Sequence, residues 1–278
     1  MSSPPNSPPN SASTEMQPVS AETLPVNPTE AFIPLLENPP WTGWDVFQIA
    51  IVTLVSIFVF LIGCSFAAQK ILYRNLEFVE VAKFPLITVC AQLLAYVLVL
   101  AFMVSILKRA PGMPFWSAIR WNWPKNWQRY LLAGVVLSFV LQAVANVLPM
   151  PKELPIDRFF QTPAEAWALS LFGMTLAPLL EELFFRGFLF PVLARRLGMF
   201  AAIALTAASF GLLHAPQLGR AWGPVLVVFL VGLVLTITRA VTNSVAAGVL
   251  IHVAYNGTIS VLIFIASGGF RHLDRLNQ

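Results

Sequence analysis

Seven apolar runs, each close to the length that crosses a bilayer, govern what this chain can fold into: residues 46–68, 84–106, 130–149, 166–190, 198–214, 223–240 and 244–267. A helix needs about 20 mostly apolar residues to traverse the hydrocarbon. The composition agrees, with 57% hydrophobic and 11% charged residues and a mean hydropathy of +0.74, against about 25% charged residues in a soluble domain. The expectation is an integral, multi-pass membrane protein, all-α, with about seven transmembrane helices and the lipid bilayer as its surroundings.

Residues 1–45 differ in kind. They are rich in Ser, Pro and Asn, hold five acids and no Lys or Arg, and lack the apolar surface to fold, so they read as a disordered tail. Neither a secretory signal nor a transit peptide is legible there, so the first helix is expected to serve as its own insertion signal. Without the tail's acids, 17 bases face 8 of the chain's 13 acids, a balance of +9, which suits anionic headgroups and implies no nucleic acid. The segment FWSAIRWNWPKNWQRY sets Trp116, Trp121, Trp123 and Trp127 among bases, an interfacial aromatic belt. Its bases place this loop and the tail in the cytoplasm by the positive-inside rule, with nine bases on that side against eight on the other. Cys64 and Cys90 lie in apolar runs without metal-type spacing and read as small apolar residues.

The chemistry is concentrated in three later segments. Glu181, Glu182 and Arg186 lie inside the run MTLAPLLEELFFRGFLFPVL. An ionised side chain there costs roughly 2.5–3.5 kcal/mol even on the lenient insertion scale, so such a cluster is a functional site by default. Glu182 and Arg186, four apart, share a helix face and can pair, while Glu181 points about 100° away. Glu182 is then the structural carboxylate, and Glu181 the candidate general base. Pro178 removes a helix hydrogen bond, kinks the chain and frees a carbonyl near the site, and Gly187 permits close approach of a neighbour. His214 closes the fifth run, and His252 and Asn256 share a face of the last. Glu181, His214 and His252 form a ligand set familiar for zinc with an open water position, yet no HExxH is present. Spacing leaves a divalent metal such as zinc and metal-free water activation equally open.

Taken in order on separate apolar runs, EELFFRG (181–187), FGLLH (210–214) and HVAYN (252–256) resemble the CPBP family of CAAX prenyl proteases and bacteriocin-processing intramembrane proteases. The resemblance covers residues 163–265 and divides the chain into a tail (1–45), variable transmembrane helices (46–160), a catalytic core (161–268) and a polar C-terminal tail (269–278). It implies a helix bundle enclosing an intramembrane polar cavity, and a metalloendopeptidase that hydrolyses a peptide or membrane-protein substrate near the membrane surface. By it, Glu181 activates water with His214, His252 and Asn256 stabilise the oxyanion or bind an ion, and Glu182 and Arg186 support the site. The membrane it implies is a bacterial inner (plasma) membrane or a related internal one. A non-proteolytic chaperone or scaffold with the same core is the alternative, and a proton-coupled transporter a third.

Depth follows from rise per residue. His214 lies about 24 Å from residue 198 at 1.5 Å per residue, and His252 about 12 Å into its run. The two meet only in a cavity descending from the surface that bears APQLGRAWG. Glu181 joins them if residues 163–172, with Trp167, lie along the headgroups.

Overall fold

Thr42 starts the first helix. Its hydroxyl accepts from the Asp45 N–H at 3.4 Å and the Asp45 carboxylate accepts from the Thr42 N–H at 2.8 Å, a reciprocal capping box that satisfies two end donors. The computed structural model describes Met1 and residues 38–109, 112–151 and 153–273. Of its two units, Met1–Pro34 and Leu35–Gln278, the first lies outside those residues except for Met1. The tail expected over residues 1–45 therefore falls mostly outside the described residues. Its last residues are structured: Trp41 is 1% exposed and Asp45 belongs to the helix cap.

From Thr42 the chain runs through α1 (Gly43–Ile71), the single turn α2 (Phe78–Val81), α3 (Pro85–Leu107), the single turn α4 (Phe115–Ala118) and α5 (Trp127–Ala145). A 3₁₀ turn at Pro155–Phe159 leads to α6 (Pro163–Met174), α7 (Leu176–Glu182), a π-helical stretch Leu183–Leu189 and α8 (Phe190–Leu197). Then come α9 (Met199–His214), α10 (Trp222–Thr242) and α11 (Val245–Ala266). Among the described residues, six helices are long and apolar enough to span a membrane, counting Pro163–Leu197 as one; α9, with 16 residues, is shorter. The molecule is the polytopic all-helical bundle that the apolar runs imply. Exposed Leu54, Phe58, Ile62 and Phe66 give α1 an apolar stripe at helical spacing, the surface expected against lipid.

Three pairs of helices pack most closely: α9 on α10, α5 on α11 and α1 on α3. The α5–α11 seam depends on Gly134, where a Cβ would stand 2.3 Å from the Ile251 carbonyl oxygen. The close approach expected at Gly187 is absent, since a Cβ there meets Ile119 at an ordinary 3.5 Å. Two apolar clusters flank the future site, one around Met103, Ile119, Leu183 and Phe188, the other around Phe185, Phe210, Leu235 and Ile251.

Residues 163–172 do not lie along the surface. Trp167 packs on Phe264 and Phe270 at the C-terminal end of α11, whereas Phe172 stacks on Tyr96, midway along α3. α6 thus descends into the bundle, because its aromatic face finds partners there. The chain then breaks at Thr175 (φ −123°, ψ −74°), one turn ahead of the proline expected to cause the kink. Pro178 falls in the first turn of α7, where its missing N–H has no intrahelical partner to lose.

Candidate active site

The two glutamates sit at the C-terminal end of α7, just before the π-helical stretch. Single-turn π bulges are rare and gather at functional sites. Here Pro191 follows, and a proline ring crowds the carbonyl four residues earlier in an α-helix; a wider turn relieves that crowding. Side chains take up carbonyls of the wide turn: Trp41 Nε1 donates to Phe188 O at 2.9 Å and Arg239 Nε to Arg186 O at 3.2 Å.

Glu182 and Arg186 form the pair that their spacing implied. They are 2.7 Å apart and fully buried. Arg186 is held further from α10, donating to Gly232 O at 2.8 Å and Thr236 Oγ1 at 3.2 Å, with the Phe210 ring 4.8 Å from its guanidinium carbon. Such extra donors and acceptors are what a dry ion pair needs to offset desolvation. Gly232 and Thr236 carry no charge and could not be singled out from the run VGLVLTITRA.

Glu181 stands apart from that pair and meets both histidines. His214 Nε2 lies 3.8 Å from one of its carboxylate oxygens and His252 Nε2 3.7 Å from the other. The remaining ring nitrogens are occupied: His214 Nδ1 donates to Phe210 O at 2.8 Å, and His252 Nδ1 to Glu182 Oε1 at 3.0 Å. A carbonyl or carboxylate can only accept, so each Nδ1 carries hydrogen. In the neutral rings both Nε2 atoms therefore turn lone pairs toward Glu181. Fixing one ring nitrogen to set the role of the other is a usual device around hydrolytic histidines. The Phe210 carbonyl was within reach of the sequence, being four residues before His214 in FGLLH. Asn256 lies elsewhere on its helix face: Nδ2 donates to Gly173 O at 2.7 Å, the carbonyl near the broken end of α6.

The spacing can be set against the two chemistries left open. Bonds of about 2.0–2.2 Å in a tetrahedral site put ligand atoms about 3.4 Å apart. His214, His252 and Glu181 supply suitable donors at wider separations, and among the described residues no group of three or more His, Cys, Asp or Glu is arranged to hold a metal ion. Gaps of 3.7–3.8 Å are too long for direct hydrogen bonds and fall between that metal spacing and the roughly 4.6 Å that separates two groups bonded tetrahedrally to one water at about 2.8 Å, so the spacing admits either a shared water or, with a small contraction, a metal. Glu181 and His214 are partly exposed, at 18% and 21% of their side chains, while His252 is 4% exposed. Just beyond His214, the 215–221 loop is tied to the 3₁₀ turn by Ile156 N–H to Gln217 O at 3.2 Å.

No match was found among curated proteins or among solved structures. Residues 163–258 match the model of the type II CAAX prenyl endopeptidase Rce1-like family, and that segment runs from the start of α6 into α11 and contains every side chain of the site. Over that segment the chain is similar to that family.

Proposed function

We propose that this protein is an intramembrane endopeptidase in which Glu181 activates a water to cleave a peptide or membrane-protein substrate at the level of His214. The observation that carries the reading is the convergence of Glu181, His214 Nε2 and His252 Nε2 across 3.7–3.8 Å gaps. Three acceptors around one water exceed its two hydrogens, so one group must carry a proton and donate. We assign that proton to His252, whose Nδ1–H rests on Glu182. Its Nε2–H then faces the carbonyl oxygen of the substrate.

Glu181 takes a proton from the water, and the oxygen attacks the carbonyl carbon. The electron pair of the C=O moves onto oxygen, where His252 Nε2–H stabilises it. Asn256 has a second N–H on the amide that binds Gly173, the other candidate donor. Collapse breaks the C–N bond, and Glu181 returns its proton to the leaving amine. His214 accepts from the water and fixes its position. The apolar walls strengthen each of these interactions by excluding bulk solvent.

The test compares peptide termini in membranes from cells making the wild type or Glu181→Gln. The reading expects a set of new termini present only with the wild type and restored by re-expression. Identical termini in both, with the variant folded and inserted, would favour a scaffold.

A further inference from the structure

A second polar feature lies at the opposite end of α10 from His214. A cavity of about 460 Å³ is lined by Lys125, Arg129 and Tyr130 at its mouth and by Ala133, Thr238 and Ile251 further in. That volume is in the range of small-molecule sites. No acid lines it, and among the described residues neither Lys125 nor Arg129 has an ion-pair partner. Two uncompensated cations facing one cavity repel each other, and an anion between them removes that repulsion.

Its depth decides which anion. The loop before α5 is bonded to the α10–α11 turn, through Asn122 Nδ2 to Asn243 O at 2.8 Å and Val245 N–H to Arg120 O at 3.0 Å. The mouth therefore lies where α5 begins, α10 ends and α11 begins. Trp123 and Trp127 there are 59% and 39% exposed, the aromatic signature of the headgroup layer. Ala133 is six residues into α5 and Ile251 six into α11, so the floor is about 9 Å below the helix ends at 1.5 Å per residue. The headgroup layer is about 5–8 Å thick on each side. The cavity thus crosses it, with cations at phosphate level and an apolar floor where acyl chains begin. A soluble anion would have no use for that floor.

We propose that this cavity binds an anionic phospholipid, Lys125 and Arg129 holding its phosphate and the start of an acyl chain lying on Ala133 and Ile251. The bound lipid braces the α5–α11 seam, where Ile251 is the neighbour of His252.

The test titrates the full-length protein in neutral detergent with short-chain phosphatidylglycerol or phosphatidylcholine, counting bound lipid by native mass spectrometry. Phosphatidylglycerol should bind with at least tenfold lower Kd. Lys125→Ala with Arg129→Ala should abolish the preference, whereas Lys108→Ala with Arg195→Ala, equal in charge, should keep it. Ala133→Phe fills the floor with both cations in place and should weaken phosphatidylglycerol at least tenfold while leaving the melting temperature in lipid-free detergent within a few degrees. Equal loss in the Lys108 and Arg195 control, or unchanged binding in Ala133→Phe, would overturn the site. Displacement of the lipid by glycerol phosphate or inorganic phosphate at equal concentration would overturn its assignment to lipid.

Discussion

Glu182, and not its neighbour, grips the ring of His252: Oε1 accepts from Nδ1 at 3.0 Å, while His252 Nε2 stands 3.7 Å from Glu181. The same Oε1 accepts from Arg186 at 2.7 Å. Adjacent carboxylates are thereby separated in role by the 100° that one helical residue turns. One holds the histidine from behind, fully buried, and the other meets it from the front, partly exposed.

Glu182→Ala should destabilise the protein by about 3–5 kcal/mol, because it strands a buried guanidinium. Glu182→Gln with Arg186→Met should recover most of the lost melting temperature and none of the activity, since His252 still lacks its carboxylate. Thermal unfolding in detergent checks this. A double variant no more stable than Glu182→Ala would show that the ion pair is not what the fold depends on.

Gly248 sets where Glu182 can stand. A Cβ at this position would lie 2.7 Å from Glu182 Oε2, an oxygen that is buried without a hydrogen-bond partner among the described residues. Gly248→Ala should displace the carboxylate and, through it, His252, lowering kcat at least tenfold while costing about 1–3 kcal/mol of stability. Shortening the acid, in Gly248→Ala with Glu182→Asp, should regain part of the rate. Wild-type kcat in Gly248→Ala would show that the contact does not position the histidine.

Two helix glycines make a controlled comparison. Gly134→Ala drives a methyl into the Ile251 backbone at 2.3 Å and should lower stability by about 1–3 kcal/mol. At Gly63, in α1, a Cβ meets nothing within 4 Å, and Gly63→Ala should be neutral or stabilising by up to about 1 kcal/mol. Melting temperatures that move together would remove the α5–α11 seam as the cause.

Chelation separates the two chemistries of the site. If water is held by Glu181 and the histidines alone, treating the purified protein with 1,10-phenanthroline and removing the chelator should leave turnover of a cleaved substrate within about twofold. A tenfold loss reversed by added zinc would establish a metal at these side chains instead.

The apolar runs announced the spans because hydrocarbon thickness demands length and little else. Glu181, His214, His252 and Asn256 were legible as polar exceptions inside those runs. What could not be read was which polar group meets which. His252 and Asn256 share a helix face by spacing, yet one bonds Glu182, 70 residues away, and the other the Gly173 carbonyl. The i,i+4 relation of Glu182 and Arg186 was read correctly, but the π-helical stretch beginning at Leu183 leaves no mark in hydropathy. Gly232 and Thr236 escaped notice because a backbone carbonyl and one hydroxyl in an apolar helix look like any packed helix. The break at Thr175 was displaced from the expected Pro178, since a proline three residues into a helix is compatible with its first turn.

The break at Thr175 and the π-helical turn after Glu182 bracket α7 at only seven residues. An uninterrupted spanning helix transmits any displacement along its whole length, because each hydrogen bond couples a residue to the next turn. Here the ladder breaks at Thr175, whereas after Glu182 it continues, the Leu183 N–H bonding Leu179 O and Leu180 O, so the segment bearing Glu181 is uncoupled from α6 yet anchored at its other end through Glu182 to Arg186 and His252. Amide exchange just after Thr175 should then proceed through a local opening cheaper than global unfolding, while the amides beside Glu182 stay protected, so that any movement of the base pivots about its neighbour.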